Sequence, residues 1–225
     1  MTWIQTYTLR AFDLLAPTPD MVDVEDIAHA LSRTNRFSGH THGEPYSVAH
    51  HSMLVADLLA SWGWPPEVVR EGLLHDAGEA YYGDITSPVK QALLDLRIEN
   101  LDDEINGTTF RPPHVIAELT GPIDRVVRSA LMLPEHETPI VKRADLVALA
   151  IERRDLFADK PEPRDWELPE RAPTSAPCGR LHDEFGTVSP LGVGQLRADR
   201  LISWKAARSR FLALLAEFDA KRGPT

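Results

Sequence analysis

Apolar and polar residues alternate at the start of the chain, where Trp3-Ile4-Gln5-Thr6-Tyr7-Thr8 mixes aromatic and β-branched side chains with polar ones. A second short run, Phe12-Asp13-Leu14-Leu15, ends at Pro17 and Pro19, and the two runs predict a small hairpin. From Asp23 the spacing becomes helical, with Val24, Ile27, Ala28 and Leu31 on one face behind an acidic first turn. Arg33 to Pro45 is rich in turn formers and predicts a loop. Ser47 then stands where a helix cap is needed, and Val48, His51, Val55, Leu58 and Trp62 form one stripe before Gly63 and Pro65 end it. This stripe directs His51 inward and leaves His50 off it.

Pro65-Pro66-Glu67 starts a further helix through Val68, Val69, Leu73, Leu74, His75 and Asp76, which reaches Glu79 before a turn near Gly83. Pro88 opens another helical stretch, and helical spacing continues from Leu93 to Ile105. After Pro112-Pro113, helices are predicted at about Ile123 to Leu133 and Pro139 to Phe157. Between Asp159 and Pro190 six prolines and many charges replace periodicity, which predicts an irregular connection. A last helix, from about Gln195 to Phe218, carries Leu201, Trp204, Phe211, Leu215 and Phe218 for docking. The expected fold is all-α with a small N-terminal β-hairpin. Its main domain spans 1–158, followed by a Pro-rich connection over 159–191 and a C-terminal helix in 192–225 that docks on the same domain.

Composition narrows the partners. A formal net charge of −10 and a pI near 5.3 disfavour a nucleic-acid polymer, whose binding rests on a Lys/Arg surface that displaces counterions. A small phosphate ester is compatible, because a few local cations neutralise it. Cys178 is the single cysteine and has no intrachain disulfide partner. Neither a cationic leader nor an apolar span stands out, so a cytoplasmic protein without membrane contact is expected.

The chain contains two His-Asp pairs. His182-Asp183 lies in the Pro-rich connection and reads as solvated surface. His75-Asp76 follows Gly72-Leu73-Leu74 within a packed helix, where an unpaired ionised Asp costs several kcal/mol and therefore needs a cation, a hydrogen-bond network or a metal. Asp145 poses the same question, because six apolar residues, Leu146 to Ile151, follow it directly. Three helices thus direct His51, His75-Asp76 and Asp145 to the interior. Two imidazoles and two carboxylates suit a divalent ion. A single inward histidine is more often a satisfied core residue, and it is the joint pattern that favours a metal. Glu79 lies beyond His75, Asp84 follows Gly83 in a turn, and Arg36 sits in the loop before the first ligand helix, where its planar fork suits phosphate.

The ordered set His51, His75-Asp76, Asp145 resembles the signature of the HD phosphohydrolase superfamily. Asn35-Arg36-Phe37, Tyr46-Ser47-Val48-Ala49-His50-His51-Ser52, Leu74-His75-Asp76-Ala77-Gly78-Glu79-Ala80-Tyr81, Gly83-Asp84-Ile85-Thr86-Ser87-Pro88-Val89-Lys90 and Val141-Lys142-Arg143-Ala144-Asp145 are similar to the bacterial 5'-deoxynucleotidases. They are at least as similar to the prophage and phage HD hydrolases, including the dATP triphosphohydrolases. The resemblance implies one divalent ion, whether Co, Mn, Zn, Mg or Fe, on His51, His75, Asp76 and Asp145. It also implies catalytic assistance from Glu79 and Asp84, phosphate binding by Arg36, and packing of Phe37 near sugar and base. Phe37 stands where the nucleotidases commonly have Trp, which leaves nucleoside selectivity open. The expected function is attack of metal-activated water on a small (deoxy)nucleotide, first a deoxynucleoside monophosphate, with dNTP triphosphohydrolysis as the alternative. A dinuclear-iron HD oxygenase and a non-catalytic nucleotide-binding module rank lower, and a homo-oligomer is expected.

Overall fold

The computed structural model describes residues 1–95, 115–157, 181–183, 186–188, 197–198 and 201–221. The predicted hairpin forms from β1 (Trp3–Gln5) and β2 (Ala11–Asp13), antiparallel, with Ile4 opposite Phe12. Phe12 is fully buried and stacks on Tyr81 at 3.7 Å between ring centroids, so the hairpin is pinned to the segment just after the His-Asp pair.

Helix α1 (Val24–Leu31) is capped by Asp23, which accepts the Glu25 N–H at 2.8 Å. Ile27, Ala28 and Leu31 are buried as their spacing predicts, but Val24 is exposed. Asp26 is buried in the first turn instead, where it accepts the Thr8 N–H and hydroxyl at 2.6 and 2.8 Å and ties α1 to the hairpin.

At the centre runs α2 (Val48–Ser61), with α3 (Pro66–Leu74), α7 (Pro139–Leu156) and α8 (Trp204–Lys221) packed around it. Ser47 caps α2 as expected, and the His50 ring reciprocates by accepting the Ser47 N–H. Neighbours cover α2 on nearly every side, so the one-stripe reading of this helix is too narrow. His50 is buried as well as His51, with its Nδ1 2.7 Å from Ser47 Oγ and its Nε2 3.2 Å from the Ile202 carbonyl.

Helix α3 ends at Leu74, short of the predicted Glu79. The chain turns tightly through 75–78, with Ala77 N–H on the Leu74 carbonyl and Glu79 N–H on the Asp76 carbonyl. It re-enters a short helix, α4 (Glu79–Tyr82), which ends at Gly83 with φ +82°. Gly72 sets how near α3 comes to α2, since a Cβ there would stand 2.3 Å from Leu59 Cδ1. That close approach brings the helix preceding His75 against the helix carrying His51.

Helix α5 (Ser87–Asp95) begins where Pro88 predicts, and the rest of the expected stretch to Ile105 lies outside the described residues. Helix α6 (Val115–Ala130) starts earlier than the predicted Ile123 and runs through Pro122, with Ile123 and Val127 holding it to the core. Helix α7 matches its prediction within a residue. Most of the Pro-rich connection lies outside the described residues, but β3 (Leu181–Asp183) and β4 (Gly186–Val188) pair antiparallel, so this part is not irregular. Helix α8 starts at Trp204 rather than near Gln195, and Phe211, Leu215 and Phe218 are buried where it packs on α1, α2 and α3. Among the described residues no helix is long and apolar enough to cross a membrane.

Candidate metal centre

His51 comes from α2, His75 and Asp76 from the turn that ends α3, and Asp145 from α7. His51 is fully buried. Its Nε2 lies 3.3 Å from His75 Nε2, 3.6 Å from Asp76 Oδ2 and 3.1 Å from Asp145 Oδ1, and His75 Nε2 is 3.2 Å from Asp76 Oδ2. Each ring is held from behind. His75 Nδ1 donates to the Gly72 carbonyl at 2.8 Å, and His51 Nδ1 donates to Glu152 Oε1 at 2.5 Å. With both Nδ1 atoms engaged, both Nε2 atoms face one point, which is how metal-ligating imidazoles are oriented.

The ligand atoms of His51, His75 and Asp76 all lie within 4.8 Å of one another, so this cluster can hold a metal ion. Asp145 stands at its edge, with Oδ1 toward His51 and Oδ2 2.8 Å from Lys142 Nζ. Such nitrogen and oxygen donors fit a divalent cation. His136, one of the few further histidines between Asp76 and Asp145, is engaged through its backbone carbonyl by Arg128 and is not in the cluster.

The imidazoles and carboxylates of the cluster shift one another's protonation. Burial disfavours the charged form of His75, yet the Asp76 charge and hydrogen bond outweigh it and lift the imidazole to about 10. Burial likewise opposes the Asp76 and Asp145 carboxylates, but His75 beside the first and His51 beside the second hold both well below the usual carboxylate range. His51 is also raised: burial and Arg36 oppose its charge, and Glu152 and Asp145 prevail.

Arg36 reaches this centre from the preceding loop, with NH1 3.7 Å from Asp76 Oδ2 and NH2 3.2 Å from Glu152 Oε2. The loop is fastened at its base, where Arg36 N–H bonds the Tyr46 carbonyl and Val48 N–H bonds the Thr34 carbonyl, both at 2.9 Å. Phe37 follows with φ +55° and Ser38 with φ +51°, a strained turn that sets the Phe37 ring 5.4 Å from the Arg36 guanidinium and edge-on to Phe157. Glu79 is buried at the start of α4. Burial, then the charges of Asp76 and Asp84, push its carboxyl up to about 9. Burial raises Asp84 too, partly offset by Arg36.

Glu152 and Tyr46 join this network without having been singled out from the sequence. Glu152 is fully buried and accepts the Tyr46 hydroxyl at 2.9 Å as well as His51 and Arg36. A signal was present: Glu152 lies seven positions after Asp145, two helical turns along the same face, directly behind the apolar run. A carboxylate at that register is as anomalous as Asp145 itself.

No family model matches the chain. It is 39% identical over 131 residues to an uncharacterized protein of Rhodobacter capsulatus, a stretch covering 57% of this chain and 66% of that protein. It is 34% identical over 194 residues to the uncharacterized protein YfdR of Escherichia coli K12. That alignment takes in 86% of this chain and 89% of YfdR, and on its extent the chain belongs to the YfdR family.

Proposed function

We propose that the chain is a divalent-metal-dependent phosphohydrolase of small (deoxy)nucleotides, of the HD type its motifs resemble. The observation that carries the reading is the convergence of His51 Nε2, His75 Nε2 and Asp76 Oδ2, with Asp145 beside them and Arg36 3.7 Å from Asp76. A cobalt, manganese, zinc, magnesium or ferrous ion would be held by these four residues. When bound, such an ion supplies Lewis acidity to a phosphoryl oxygen and lowers the pKa of water from ~15.7 towards ~7.

Two further atoms support a phosphate and its attacking water. Among the described residues, Arg36 Nε and Glu79 Oε2 are both buried without a hydrogen-bond partner. Buried polar atoms are rarely left so, and a phosphate oxygen satisfies the first as a water satisfies the second. Arg36 thus balances charge on the phosphoryl group, Glu79 holds a proton at its carboxyl, and Asp84 supports it from the neighbouring turn. Phe37, beside Arg36, supplies an apolar wall for sugar and base. A net charge of −10 favours a small ester over a polynucleotide.

The test is a substrate panel. Protein stripped by chelator and resupplied with each ion is expected to release inorganic phosphate from deoxynucleoside monophosphates, and to be inert without an ion. Release of intact triphosphate from dNTPs selects the alternative, and no hydrolysis of any substrate with any ion sinks the reading.

Ion uptake is also expected to release protons. The His75 imidazole, raised to about 10, keeps its proton at neutral pH, and that proton competes with the ion. Affinity therefore strengthens with rising pH, by about tenfold per unit for each proton displaced, between roughly pH 6 and pH 8. Calorimetry in buffers of different ionisation enthalpy measures this; an affinity indifferent to pH would mean His75 is not a ligand.

A further inference from the structure

The buried Glu152 carboxylate has three side-chain donors around it. Oε1 takes His51 Nδ1 at 2.5 Å and the Tyr46 hydroxyl at 2.9 Å, while Oε2 takes Arg36 NH2 at 3.2 Å. We infer that Glu152 is a positioning residue that fixes, with one carboxylate, both the imidazole of the metal centre and the guanidinium that binds phosphate. This rests on the function proposed above.

Each oxygen has its own task. Oε1 engages His51 Nδ1–H, which leaves Nε2 as the atom that faces His75 and Asp76. Oε2 holds Arg36 nearer to itself than to Asp76, at 3.2 against 3.7 Å. Without that hold, Asp76 is the acid left within ion-pair distance of Arg36, and the guanidinium competes with an ion for the carboxylate. Glu152 therefore keeps Asp76 available to the ion and Arg36 available to phosphate. Tyr46 completes the carboxylate's shell through its hydroxyl, on the same oxygen that takes His51.

Glu152→Gln tests this, because it preserves shape while placing an NH2 among groups that are all donors. Cobalt affinity by titration, KM for the hydrolysed nucleotide, and the exchange-protected downfield Nδ1–H resonance of His51 in ion-free protein are the readouts. Thermal melting checks that the variant folds. The expected result is cobalt binding weaker by about 10–100-fold, a higher KM, and loss of the Nδ1–H resonance. Tyr46→Phe should alter all three far less. If the Gln variant does not fold, Glu152→Asp keeps the charge and should show partial loss of both affinities. Folded Glu152→Gln with wild-type cobalt affinity overturns the inference, and so does a loss of cobalt affinity with KM unchanged. Wild-type protein that takes up no cobalt overturns the metal reading instead; persistence of the Nδ1–H resonance in Glu152→Gln then overturns this inference separately.

Discussion

An Asp145→Ala chain is expected to take up no divalent ion and to lose about a thousandfold or more in turnover, the equivalent of several kcal/mol of transition-state charge stabilisation. The geometry gives this result two competing explanations to separate. Asp145 Oδ1 stands 3.1 Å from His51 Nε2, as a ligand at the edge of the cluster would, while Oδ2 pairs with the exposed Lys142 three residues earlier. If the Lys142 pair were the whole role, alanine would cost a few tenths of a kcal/mol of helix stability and leave ion uptake intact. If Asp145 completes the centre, uptake fails while the fold survives, because the neighbouring Ala144, Val147 and Ala148 still pack α7 into the core. His182→Ala is the internal control. Its His-Asp pair lies in β3 (Leu181–Asp183), and both ion uptake and turnover should stay at wild-type level. Equal activity in the two variants would remove Asp145 from the site.

The same residues show what was legible in the sequence. Hydrophobic spacing placed α1, α2 and α7, and the turn and proline signals placed the hairpin and the start of α5, because these elements form on local propensity plus one buried face. Convergence of His51, His75, Asp76 and Asp145 was readable because charged groups inside apolar runs require a shared explanation. Less legible was whatever depends on neighbours supplied from afar. His50 is buried because α8 and the Leu201–Ser203 segment before it close over α2, an event absent from the α2 stripe. The end of α3 at Leu74 breaks a periodic pattern that continues through Glu79, and the break is what carries the chain into the tight turn holding Asp76. Glu152 escaped notice although its register was visible, because its partners, Tyr46 and Arg36, lie more than a hundred residues earlier.

The second large effect belongs to Glu79. Its Oε2 has no hydrogen-bond partner among the described residues, and burial, reinforced by Asp76 and Asp84, raises the carboxyl to about 9, which favours the protonated form at neutral pH. A divalent ion held by the cluster would favour the carboxylate and would draw that value down towards the working range of a proton-transfer group. Glu79→Gln retains size and hydrogen-bonding shape and removes only the transferable proton. It is therefore expected to lower kcat by about 10²–10⁴-fold, while cobalt affinity and KM stay near wild type, since Glu79 is not one of the three clustered ligands. The pH profile supplies the sign. If the protonated carboxyl serves the leaving oxygen, wild-type kcat falls on the alkaline side as Glu79 loses its proton, and the Gln variant lacks that limb. A limb on the acid side that vanishes in Glu79→Gln assigns it instead as the base toward the attacking water. Wild-type kcat in the variant would reduce Glu79 to an ordinary helix-start carboxylate and leave the centre without a proton carrier at that position.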